Sequence, residues 1–358
     1  MGRIRHIDWM KGIAILFMVQ VHTAAVVPPT GINVGHHPLA FLAAALGGMA
    51  APLFVTMSGW GVHASAKRKG RGGSDWIAWM APRVSILFLC QIIVNALFHE
   101  NHGGRFEILT PGILTLFAVS AIFMPLLSKV GILSRGFLMI LFVLAPSMLG
   151  GHSGPEWSWS IRIHSDGISE WFDRLLFNGT YPAIPWLSYT ILGSLIADLR
   201  EGVLARKRIF LIGLVFTIYT VLASITQKEA WALTEGEAVL TFFPASSEFV
   251  IVSATFVILL QMILDRVEAN PDQTIAEGLL RRLEPAGRLS LTIYVGHFAL
   301  LGVFVASYGR ASFPLEVSFA FTVIHMIVWI PISIAYERIA PNYSLEHVIR
   351  VMGQKLSR

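Results

Sequence analysis

The chain has 358 residues, 54% of them hydrophobic and 14% charged, with 27 Lys and Arg against 22 Asp and Glu. Soluble domains carry about a quarter charged residues, and these apolar runs are continuous rather than alternating, so a soluble enzyme and a closed barrel are both excluded and an all-α polytopic membrane protein is predicted. One cysteine, Cys90, excludes an internal disulfide and a cysteine-based metal site, and the net charge of +5 reads as topology and contact with anionic lipid rather than nucleic-acid binding.

The opening stretch, RIRHIDWMKGIAILFMVQVH over residues 3–22, has a basic head and an apolar run that imitate a secretory signal. Asp8 in the head and His22 in the apolar run are unusual for a cleaved signal, so the segment is read as a first membrane helix over 11–27, ended by Pro28 and Pro29. At about 100° per residue, Lys11, Ile15, Met18 and His22 share one face, with Asp8 beside it and about 16 Å between Lys11 and His22. Ionisable groups in a bilayer are costly, face protein or water, and mark functional paths. The plainer reading of His22 is a hydrogen bond to a neighbouring helix.

A second span over 39–64 is rich in Ala and Gly, which suits close packing against the first helix. A loop with Lys67, Arg68, Lys69 and Arg71 among glycines follows. Further spans are expected over 76–98, 109–128, 132–149, 182–199, 209–226, 246–264, 286–307 and 313–336, about ten helices in all within a single membrane domain over 1–358. With the N-terminus inside, all but Arg105, Arg162, Arg174, Lys228 and Arg310 of the 27 Lys and Arg fall on the inner side, which predicts cytoplasmic termini. The longest outer segment, 150–181, holds His152, Trp157, Trp159, His164 and Trp171, suited to covering a sugar or lipid or simply to anchoring at the interface. The sequon at Asn178 is a short, common match and carries no weight.

Four segments then carry a resemblance: the opening IDWMKGIAILFMVQVH, APLFVTMSGWG at 51–61, YPAIPWLSYTILGSLIAD at 181–198 and GRLSLTIYVGH at 287–297. In this order they resemble the transmembrane acyltransferases, the group of heparan-alpha-glucosaminide N-acetyltransferase, its bacterial relatives and acyltransferase family 3. Lys11 and His22 reproduce the family 3 spacing of an arginine, ten residues and a histidine, with Lys in place of Arg. In the heparan-type enzymes an asparagine stands where this chain has His22, and the catalytic histidine falls in the next outer segment, which here contains His36 and His37.

The resemblance implies acyl transfer, commonly of acetyl from acetyl-CoA, across a bacterial inner membrane to a sugar or glycan, with no metal. A base or acyl carrier is then needed, a role suited to histidine and open between His22, His36 and His37. Arg5, Lys11 and Arg83 are candidates for the donor's phosphates, Arg83 serving equally as a lipid-headgroup contact. Tyr294 and His297, three residues apart, are candidate substrate contacts in one cavity, and His325 is structural or cavity-lining. Two other classes stay open: a proton-coupled transporter, and a metal carrier or oxygen-dependent enzyme using the outer histidines, of which His99 and His102 come nearest to a ligand spacing. Acceptor, acyl chain and any homo-oligomer are not legible in the sequence.

Overall fold

The computed structural model describes residues 4–32, 37–69, 74–199, 202–270 and 274–356; His36 and the basic loop at 70–73 lie outside them. In chain order the helices are α1 (Arg5–Val26), α2 (Pro38–Gly48), α3 (Ala50–Lys69), α4 (Ser74–Leu97), α5 (Ile113–Ser128), α6 (Ile132–Leu149), the short α7 (Trp159–Ile163) and α8 (Ile168–Asp173), α9 (Ala183–Asp198) and α10 (Val203–Gln227). A parallel pair β1 (Ala230–Leu233) and β2 (Ala238–Thr241), in register Ala230 to Ala238, precedes α11 (Ser247–Ala269), α12 (Thr274–Arg288), α13 (Ser290–Tyr308), α14 (Leu315–Ile339) and α15 (Leu345–Leu356).

Among the described residues eight helices are long and apolar enough to cross a membrane. Their outer faces confirm the class. Along α6, Leu133, Phe137, Ile140, Leu144 and Met148 are exposed, and along α10, Ile212, Val215, Ile218, Leu222 and Ile225. Faces this apolar are stable only against lipid. The protein is thus an all-α polytopic membrane protein; each of the ten expected spans overlaps a helix, but those over 109–128 and 182–199 give only the 16-residue α5 and α9, which are not among the eight, and three boundaries differ. The second span is divided at Met49, which keeps right-handed helical φ/ψ, into α2 and α3, and the two together make one of the eight. The fourth starts at Ile113, after Thr110-Pro111-Gly112, rather than at 109. The ninth starts at Ser290, because the preceding residues belong to a separate amphipathic helix, α12, joined to α13 through the non-helical Leu289.

The described residues form two compact units. One comprises Met1–Phe54, Ile93–Phe106 and Leu259–Met352. Within it α1 is enclosed by α2, α12, α13 and α14. A cluster of Ile15, Met18 and Val19 with Leu289, Ile293 and Trp329 fills one level, and Val26, Val27, Phe298, Leu301 and Val305 the next, so α1 and α13 run side by side in the same direction. At the level of Gly12 no side chain separates α1 from α12: a Cβ on Gly287 would strike the Asp8 carbonyl, and one on Gly12 would lie 2.8 Å from Leu283 Cβ. The start of α13 is closed from outside, since Glu346 of α15 accepts the N–H of Leu291 (2.6 Å) and Thr292 (3.2 Å), a carboxylate at the positive end of a helix.

The second unit comprises Val55–Ile92, Glu107–Ile258 and Gly353–Arg358. Here α3 and α9 cross at Gly59 and Gly193, where either Cβ would enter the other helix's backbone at Thr190 or Thr56. The small residues of the second span therefore face two ways: α2 lies against α1, as its composition predicts, and α3 turns its glycine to α9 instead.

Candidate functional site

Two of the expected residues meet inside the first unit. His22 of α1 and His297 of α13 are joined Nδ1 to Nε2 at 2.8 Å, their rings nearly parallel at 9°. His297 is fully buried and His22 half-buried. The bond pattern fixes the protons. His297 Nδ1 lies 3.1 Å from the Ile293 carbonyl, which only accepts, so Nδ1 carries the hydrogen and Nε2 holds a lone pair in the neutral ring. His22 Nδ1–H must then donate to it, which leaves His22 Nε2 as an unprotonated nitrogen that makes no hydrogen bond to the described residues. The surroundings are aromatic: Phe298 lies 4.6 Å from the His22 ring and Tyr294 meets His297 edge to face at 5.6 Å. Tyr294 and His297 thus touch each other.

A third histidine stands at the same level. Thr23 Oγ1 donates to the Val19 carbonyl (2.6 Å) and so accepts from His325 Nδ1 of α14 (2.7 Å). Three helices, α1, α13 and α14, each bring one histidine to this depth.

The N-terminal end of α1 is a charge network. Arg5 donates to Glu284 (2.9 Å) and Glu277 (3.1 Å) of α12 and lies over the Trp9 ring at 5.1 Å. Hydrogen bonds from Arg281 and then Arg5 hold Glu277 below the usual carboxylate range. His6 is buried between Glu268 and Asp265 of α11, and Arg288 forks onto Glu337 of α14. Lys11 is half-buried one turn deeper than Ile7 and Asp8, next to the Gly12 crossing. His37 caps α2, its Nδ1 accepting from Ala40 N at 3.4 Å, a turn-stabilising role. His99 likewise accepts from Asn101 N at 3.1 Å. Arg83 lies half-buried on α4, in the second unit.

The second unit contains a polar centre that the sequence reading missed. Asp198, at the end of α9, takes Lys67 Nζ (2.7 Å), His63 Nε2 (3.0 Å) and a guanidinium bond from Arg135, which also donates to Ser194 Oγ (2.9 Å). Arg135 and His63 are fully enclosed, so the group clamps α3, α6 and α9 together. In the 150–181 segment two buried arginines hold the backbone: Arg162 donates to the carbonyls of Gly154 and Asn178, and Arg174 to the His164 carbonyl (3.0 Å) and Asn178 Oδ1 (2.9 Å) while lying over Trp157. Burial pulls Arg162 down to about 10, still charged at neutral pH. His164, exposed, has Glu107 at 2.8 Å and Asp166 at 3.0 Å, and hydrogen bonds to these carboxylates raise its pKa. Asn178 is buried under Arg174, so the sequon is closed in the folded protein.

Comparison with known proteins agrees with the heparan-type part of the resemblance and shows no match to acyltransferase family 3. A family model described as heparan-alpha-glucosaminide N-acetyltransferase, catalytic, matches residues 3–232, and one described as a protein of unknown function (DUF418) matches residues 194–351. No curated protein matches the chain. His22 falls in the first match, His297 and His325 in the second. The first covers more than half of the chain, and the protein therefore belongs to the heparan-alpha-glucosaminide N-acetyltransferase catalytic family.

Proposed function

We propose that the protein transfers an acetyl or other short acyl group from acyl-CoA on the cytoplasmic side to a hydroxyl or amine of a sugar or glycan at the outer side, with His22 as the base. The observation that supports this is the directed chain from the Ile293 carbonyl through His297 to His22, which leaves the His22 Nε2 lone pair available inside the membrane part of the protein. As the acceptor's O–H or N–H attacks the thioester carbonyl, Nε2 takes its proton; the tetrahedral intermediate collapses, the C–S bond breaks, and the imidazolium returns the proton to the CoA thiolate. The His297 lone pair, accepting from Nδ1–H, stabilises the cationic His22 in its aromatic surroundings. Lys11, on the same face of α1 toward the inner end, serves the anionic nucleotide by charge. Arg5, the other candidate at this end, already has its guanidinium held by two carboxylates.

His22→Ala in purified protein, supplied with labelled acetyl-CoA and a glycan panel, is expected to lose acyl transfer while keeping acetyl-CoA binding. If turnover survives in His22→Ala and is lost in His36→Ala or His37→Ala, the base lies in the outer segment. Transport of a substrate without any acyl-CoA turnover would replace the enzyme reading with a transporter.

A further inference from the structure

We propose that the buried face of α14 from Thr322 to Trp329 binds the amide-bearing pantetheine arm of the acyl donor, an assignment that rests on the acyl-CoA reading above. Three polar atoms along this face are buried and make no hydrogen bond to the described residues: Thr322 Oγ1, His325 Nε2 and Trp329 Nε1. Thr322 is 6% exposed and Trp329 7%, so neither reaches bulk solvent. A buried donor or acceptor left without a partner costs about 1–3 kcal/mol, so a group bound along this column would gain up to three hydrogen bonds.

The chemistry of the column is specific. His325 Nδ1 gives its hydrogen to Thr23, so Nε2 is an acceptor; the indole N–H is a donor; the threonine hydroxyl is either. A secondary amide offers one N–H and one C=O, the complement of this pair, and pantetheine carries two amides on a linear chain. Shape agrees. The three residues extend over about 10 Å of helix at 1.5 Å per residue, along the axis rather than across it, which suits a thin chain and not a sugar ring. Position agrees as well. Trp329 packs against Gly296 and the Ile15 to Val19 level of α1, one turn from Thr23, and its benzene edge lies 3.1 Å from where a Gly296 Cβ would be. A chain running along α14 past Trp329 therefore arrives beside His325 and the helix turn that carries His22.

The test reads binding of labelled acetyl-CoA to the full-length protein in nanodiscs, with unlabelled pantetheine and adenosine 3′,5′-bisphosphate as competing fragments. Trp329→Phe keeps an aromatic side chain, though a smaller one, and removes the N–H; His325→Asn keeps the donor to Thr23 and removes Nε2. Each is expected to weaken competition by pantetheine about 10-fold, the loss of one buried hydrogen bond, and to leave the nucleotide fragment unchanged. Unchanged pantetheine competition in both variants, or no acetyl-CoA binding by the parent protein, overturns the assignment. So does a rise in acceptor KM alone, which would give the face to the glycan, or a lowered melting temperature alone, which would give it to structural water. Wild-type protein that binds acetyl-CoA without transferring acetyl refutes the acyl-transfer reading and leaves this one standing.

Discussion

At the scale of single residues, the candidate site is a pair of rings whose protons are set by a backbone carbonyl. If the role of His297 is to accept from His22 Nδ1–H, then glutamine, whose side-chain oxygen accepts and whose nitrogen donates, is a working substitute and leucine is not. His297→Gln is expected to keep turnover within about 10-fold, whereas His297→Leu loses about 10²–10³-fold in kcat with acetyl-CoA binding retained. Equal losses in the two variants would reduce His297 to packing. His22 was legible in the sequence because a titratable side chain in an apolar run needs a reason to be there. The same signal marked His297, but not their contact, since 275 residues separate them and no local period connects them. Arg135, Asp198 and His63 carry that signal too. They escaped notice because Arg135 and Asp198 lie near helix ends, where charge also reads as a topology marker.

Among the elements, the long apolar helices followed from composition, while α12 and α15 did not, because an amphipathic helix broken up by charged and polar residues has no apolar run to announce it. The division at Met49 also left no trace: no proline or charge interrupts the Ala and Gly around it. Yet α12 matters, for its Gly287 lies directly on the backbone of α1. Gly287→Val forces the two helices apart and is expected to lower stability by about 2 kcal/mol, in the range of overpacked cores. Gly278, on the same helix with open space around it, is the control: Gly278→Ala should be neutral or stabilising by up to ~1 kcal/mol, since alanine is the better helix former. Chemical or thermal unfolding in detergent measures both. Equal stability of the two variants would mean that the crossing at Gly287 yields without cost.

At the scale of the whole molecule, the charge asymmetry predicts which side each loop occupies. Single cysteines introduced at Arg71 and Arg281 should react only with permeant reagents, and those at Arg105 and His164 with impermeant ones; the native Cys90 is buried and gives little background. Arg71 and Arg105 on one side of the membrane would refute the arrangement, because α4 lies between them. The distance in sequence between His22 and its partner also has a meaning during biosynthesis. At roughly 5–20 residues per second, α1 leaves the ribosome on the order of half a minute before α13 and α14 do. Through that interval its histidine and threonine lie in an apolar helix without the rings that later accept and donate to them. Even then α13 is uncapped until Glu346 follows. α1 is therefore made long before its packing is complete, and nascent chains halted before α13 should hold α1 in a site shielded from lipid.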